Sequence, residues 1–160
     1  MSAADDVHAV IDDMVARGVF VATPVAARGA ALLTWRIKWF SGHEMWLSAK
    51  DNEINVDEVL PRLAAQSQLY RDLRAWLKAQ QSSELSEHRR IDPKRVKLTL
   101  KNTAGQLRLS LRSDCESLPA LATRAVKLVH ALYLDFLNGP GRLEWVIEAF
   151  GLDPDNPRFS

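Results

Sequence analysis

Two stretches of strict alternation constrain this chain most. In the second, Val96, Leu98 and Leu100 alternate with Lys97 and Thr99, and Leu107, Leu109 and Leu111 alternate with Arg108 and Ser110. Side chains of a strand point to opposite faces in turn, so such a run has one buried and one wet face. The segment between, Asn102-Thr103-Ala104-Gly105, has turn composition, and 95–112 reads as a β-hairpin with Val96, Leu98 and Leu100 opposite Leu111, Leu109 and Leu107. The first alternation spans 31–50. Leu33, Trp35, Ile37 and Trp39 are followed, across Ser41-Gly42-His43, by Met45, Leu47 and Ala49. Pairing Trp39 with Met45 puts Ile37 by Leu47, Trp35 by Ala49, Lys38 by Trp46 and Arg36 by Ser48. A slip of one residue would set Lys38 against Leu47.

Helical periods surround the hairpins. Val7, Val10, Ile11, Met14 and Val15 form one apolar stripe that starts behind Asp5 and Asp6 and stops at Gly18. Residues 19–27 suit a short strand that Pro24 confines to a sheet edge or demotes to loop. Residues 56–79 read as a long helix with an Asn55/Glu58 capping box, although Pro61 sits awkwardly in it and leaves open a start nearer residue 60. Ser117 caps a helix expected over 118–137, with Pro119 in its first turn, and a short helix carries Leu143, Val146, Ile147 and Phe150. The fold class expected is α+β, in the order α-(β)ββ-α-ββ-α-α: an antiparallel sheet of four or five strands with helices packed on one face. Residues 1–152 are expected to form one domain and 153–160 a loose tail. The apolar fraction of 47% and charged fraction of 26% suit such a core.

No run approaches the roughly 18–20 apolar residues of a membrane span. Met1-Ser2-Ala3-Ala4-Asp5-Asp6 lacks the apolar core of a secretory signal. Cys115 is the only cysteine, so no internal disulfide forms and a cytoplasmic setting is expected, away from any membrane.

Enzyme chemistry has little to work with. His8, His43, His88 and His130 fall on four different elements, with no His-x-x-x-His or Cys-x-x-Cys spacing, so neither a metal nor another cofactor is expected. Glu84 and His88 lie at i, i+4 in what reads as a solvated turn. The Gly139-Pro140-Gly141 turn lacks the flanking residues of a phosphate loop. The alternative to a non-enzymatic protein is a small enzyme using Cys115 or a histidine in a cleft, such as a Cys115–His130 dyad. Asp114 and Glu116 flank that thiol and oppose its ionisation.

Charge carries the more specific signal. The chain has 21 Lys and Arg against 20 Asp and Glu, yet eight basic residues and one acid, Asp92, fall between Arg89 and Arg112. The remainder is net acidic by about −6. Outward strand positions carry Arg36, Lys38, Trp46 and Lys50 on the first hairpin and Arg95, Lys97, Lys101, Arg108 and Arg112 on the second. No carboxylate is expected among them. One sign of charge with an aromatic on a sheet face is how single-stranded DNA or RNA is held. The same residues also suit a solvated face whose cations discourage edge pairing. A partner surface is indicated elsewhere. The apolar set of 118–137 is broader than one stripe and includes Leu128 and Leu134. Trp76 and Trp145 lie off the main stripes of their helices, and exposed Trp favours interfaces. These four residues are the expected contacts of a homodimer or of another protein.

The element order from Val7 to Leu137, most closely in Val96–Leu100, Leu107–Leu111 and the 118–137 helix, resembles the fold of the type III secretion chaperones and the YbjN-like proteins. The resemblance implies a small homodimer with an adaptor or chaperone-like role toward other proteins and no catalysis of its own.

Overall fold

The computed structural model describes residues 3–25, 33–39, 43–86 and 90–155. Its elements run α1 (Ala3–Ala16), β1 (Val21–Val25), β2 (Leu33–Lys38), β3 (Glu44–Lys50), β4 (Glu53–Asp57), α2 (Gln68–Ala79), β5 (Lys97–Thr103), β6 (Gln106–Arg112), α3 (Leu118–Ala131), a π-helical turn (Leu132–Phe136) and α4 (Leu143–Phe150). All strand pairs are antiparallel, in the order β1-β2-β3-β4-β6-β5. The fold is therefore α+β as expected, with six strands rather than four or five.

The extra strand is β4, which replaces the start of the expected 56–79 helix. Ile54 and Val56 face the core while Glu53, Asn55 and Asp57 face the other way. Asp51, at φ +51°, turns the chain back from β3, and β4 then receives β3 on one side and β6 on the other. Glu58 follows at φ +55°, a left-handed conformation that stops any helix there. The Asn55/Glu58 capping box does not form. The cap is Ser67, whose hydroxyl accepts from the Tyr70 N–H at 3.2 Å, and α2 begins behind it.

Both expected hairpin registers are displaced by two residues, which keeps every side chain on its expected face. Ile37 pairs with Met45, Trp35 with Leu47 and Arg36 with Trp46, because Trp39 leaves the sheet. Its indole packs on Phe20, His130 and Tyr133 at centroid distances of 5.1, 6.0 and 6.2 Å. In the other hairpin Leu98 pairs with Leu111 and Leu100 with Leu109. The two-residue turn is Ala104-Gly105, both at positive φ (+52° and +90°), which is the twist that a tight hairpin requires.

One face of the sheet is covered by α1 and α3, which also pack on each other. Trp35, Ile37, Met45, Leu47, Ile54, Val56, Leu107, Leu109 and Leu111 are buried beneath them. Because α3 lies between β4, β6 and α1, its broad apolar set is consumed inside one chain, and Leu128 is a core residue rather than an interface one. The expected 118–137 helix ends its regular course at Ala131. The Leu137 N–H then reaches the Leu132 carbonyl at 3.0 Å, and the widened turn buries Leu132, Tyr133 and Phe136. The Tyr133 hydroxyl donates to the buried Val59 carbonyl at 2.8 Å, joining this turn to the chain leaving β4. α4 spans the expected residues and ends at Gly151, φ +64°. No helix among the described residues is long and apolar enough to cross a membrane.

Candidate nucleic-acid interface on the sheet

The second sheet face is free of helices among the described residues. Strand alternation brings Arg36 and Lys38 from β2, Trp46 and Lys50 from β3, Lys97 and Lys101 from β5, and Arg108 and Arg112 from β6 to that face. Eight of the nine residues expected to form a basic surface are thus assembled on one side. Arg95 is not among them. It lies in the turn before β5, pairs with Glu116 at 3.5 Å and lines a recess with Arg90, Asp92 and Arg124.

The face is not of one sign, because β4 and the shifted register bring in carboxylates. Asp57 lies opposite Arg108 and takes a two-pronged hydrogen bond from it, Nε to Oδ1 and Nη2 to Oδ2, the latter at 3.1 Å. This bond favours the charged guanidinium and pushes Arg108 above its ordinary pKa. Lys38 faces Glu44 at 3.7 Å rather than Trp46. Glu53 stands between Lys50 and Arg112 in the register. Seven cations therefore share the strand positions of this face with three carboxylates. Among the described residues Arg36, Lys50, Lys97, Lys101 and Arg112 have no ion-pair partner within 4.0 Å.

Trp46 is half-buried at one side of a recess of about 440 Å³ lined also by Asp57, Glu58, Lys101, Thr103, Gln106, Leu107 and Arg108. Its indole N–H donates to the Glu58 carboxylate at 3.2 Å. Glu58 holds its left-handed backbone through an N–H bond to the Leu107 carbonyl at 2.8 Å, and its own carbonyl lies 2.7 Å from His43 Nε2. A non-glycine residue in this conformation costs on the order of 1–3 kcal/mol, which the surrounding bonds must offset. Asp57 and Glu58 went unrecognised because a helical reading of 56–79 hides the strand. The signal available was the alternation Glu53-Ile54-Asn55-Val56-Asp57 directly after the turn-forming pair Asp51-Asn52.

The remaining candidates separate. Trp76 and Trp145 are half-buried in their own chain, against Phe136 at 6.0 Å and Phe150 at 6.1 Å, while Leu134 is exposed. Cys115 precedes the N-terminus of α3 and His130 sits in its last turn, so at about 1.5 Å per residue the two lie some ~18 Å or more apart and form no dyad. No group of three or more His, Cys, Asp or Glu among the described residues is placed to hold a metal ion. His88 lies outside the described residues. No family model matches the chain, and no curated protein or solved structure matches it.

Proposed function

We propose that this chain is a non-catalytic, cytoplasmic binding protein that holds single-stranded nucleic acid on its helix-free sheet face. The observation that carries this reading is the excess of seven cations over three carboxylates on one continuous face, five of the cations being unengaged by other charges among the described residues. Phosphates that replace solvent counterions there release those ions, and affinity follows. Each phosphate contact on a single strand contributes about −0.7 to the slope of log affinity against log salt, so five engaged cations give roughly −3.5. Trp46, its N–H tethered by Glu58, offers a ring to a base.

The test is fluorescence anisotropy of a labelled 30-nucleotide strand between 50 and 200 mM salt. A slope between about −3 and −4 is expected, with Lys97→Glu and Lys101→Glu weakening all sequences alike because phosphate contacts carry no sequence information. Trp46→Ala is expected to cost about 1–3 kcal/mol of binding through lost stacking. Absence of binding at the lowest salt would reduce the face to a solvated one.

A homodimeric, adaptor-like role is the second part of the reading. Exposed Leu134 and Leu143 favour it, and it agrees with what the resemblance to the secretion chaperones and YbjN-like proteins implies. Sedimentation at micromolar concentration is expected to return twice the 18.0 kDa chain mass. A monomer there would remove the dimer and leave the sheet face untouched.

A further inference from the structure

The strand register draws one line of small polar residues straight across the helix-free face: Thr34, Ser48, Asn55, Ser110 and Thr99, contributed in turn by β2, β3, β4, β6 and β5. The first four are 3, 9, 7 and 9% exposed although no helix among the described residues lies over them. The next residues of the same face, two positions along each strand, are long. Arg36, Trp46, Asp57, Arg108 and Lys101 stand on one side, and Lys50, Glu53, Arg112 and Lys97 on the other. Rows two residues apart are separated by about 6.7 Å, so the two charged rows flank a low floor like walls. From β2 to β5 the floor crosses four strand spacings, about 19 Å. The centre is closed by a hydrogen bond from the Ser110 hydroxyl to the Asn55 side-chain carbonyl. At its β2 end the Thr34 hydroxyl is buried with no hydrogen-bond partner.

We infer that this trough is the path of the bound strand: a single nucleic-acid strand lies perpendicular to the β-strands, its sugar–phosphate backbone over the hydroxyl floor and its phosphates between the two cationic walls. This rests on the reading of the sheet face as a nucleic-acid surface and adds its direction and length. Charge complementarity selects the occupant. The unengaged cations are divided between the walls, with Arg36 and Lys101 on one side and Lys50, Arg112 and Lys97 on the other, so a chain of regularly spaced anions meets positive charge on both flanks over β6 and β5, while Asp57 and Glu53 flank the floor at β4. A floor of about 19 Å matches the short end of single-strand site sizes, about four nucleotides. The floor itself is uncharged and narrow, so a residue that fills it lifts the strand from both walls at once.

The test combines strand length with floor-filling. Oligonucleotides of two to twelve residues are titrated against the full chain, and affinity is expected to climb steeply up to about four nucleotides and slowly beyond. Ser48→Ile raises the floor on the inner strand β3, and Thr99→Ile raises it on the edge strand β5, where a folding defect is less severe. Each is expected to lower affinity for the 30-nucleotide strand at least tenfold, with the circular dichroism spectrum and thermal midpoint of Thr99→Ile unchanged. Poly-glutamate of matched charge is expected to compete at least tenfold more weakly than the nucleic acid. Binding with the expected salt slope that ignores both floor variants, a site size of two or of more than eight nucleotides, or equal competition by poly-glutamate would overturn the trough while leaving a cationic sheet face. No binding by the unmodified protein would remove the trough and the sheet-face reading together.

Discussion

Removing a negative charge from the centre of the candidate interface tests the electrostatic reasoning most directly. Asp57→Asn keeps the shape of the side chain beside Arg108 but abolishes the charge that holds that guanidinium. The pair is partly exposed, 28% for Asp57 and 51% for Arg108, so solvent screens it and its loss costs at most about 1 kcal/mol of stability. In a chain of this size that is a fall of no more than about 4 °C in thermal midpoint. Binding moves the other way. Arg108 becomes a sixth cation for phosphate, and the salt slope steepens by about 0.7, from roughly −3.5 to −4.2. Because the counterion contribution vanishes near 1 M salt, the same increment makes the variant about eightfold tighter at 50 mM and about fourfold tighter at 150 mM. Anisotropy titrations of a 30-nucleotide strand over that range measure both quantities. The matched control is Asp13→Asn, which changes net charge equally on α1, where Asp13 pairs with Arg17. An unchanged slope, a weaker complex, or an equal gain in the Asp13→Asn control would refute the assignment of Arg108 to the interface.

Three further outcomes concern the frame that holds this face. Tyr133→Phe strands the buried Val59 carbonyl, to which no backbone N–H among the described residues donates, and is expected to cost about 1–3 kcal/mol in urea unfolding with an unchanged m value. Glu116, its side chain 6% exposed, accepts two hydrogen bonds from Arg124, which together with Arg95 hold its carboxyl below the ordinary value of 4.5. The stability this pairing contributes is complete above that value and is lost as pH falls through the lower folded one, so acid titration of Glu116→Gln is expected to show a flatter limb below pH 4.5 than the unmodified protein. Ala104→Asn converts the tight turn to Asn-Gly, relieving a left-handed alanine, and is expected to raise the urea midpoint by the equivalent of about 0.5–1 kcal/mol.

Local polarity made much of this architecture readable. In the two hairpins first recognised, the sheet face to which each strand position points follows from alternation alone. It survives the two-residue displacement of both registers because the period of a strand is two. The Ser117 cap, the stop at Gly18 and the bounds of α4 were equally legible, since each depends on neighbours within one turn. The displacement itself was not legible. In one hairpin it follows from the packing of Trp39 against Tyr133 and His130, about ninety residues away in sequence; in the other it follows from Gly105 taking the second central position of the turn.

β4 marks where sequence stops and tertiary structure begins. Val56, Val59, Leu60 and Leu63 have helical spacing, and nothing within that segment says otherwise except Pro61. The segment is a strand because β6, some fifty residues later, supplies hydrogen bonds to its far side and the hydrophobic face of α3 covers Ile54 and Val56. That single pairing also decides the charge of the candidate interface. The sequence by itself determined the two faces of each recognised hairpin strand and placed Lys and Arg on the outer one. Only the tertiary structure decided that Asp57 stands against Arg108 and that five small polar residues align into a trough, because cross-strand neighbours are set by long-range pairing that local patterns do not encode.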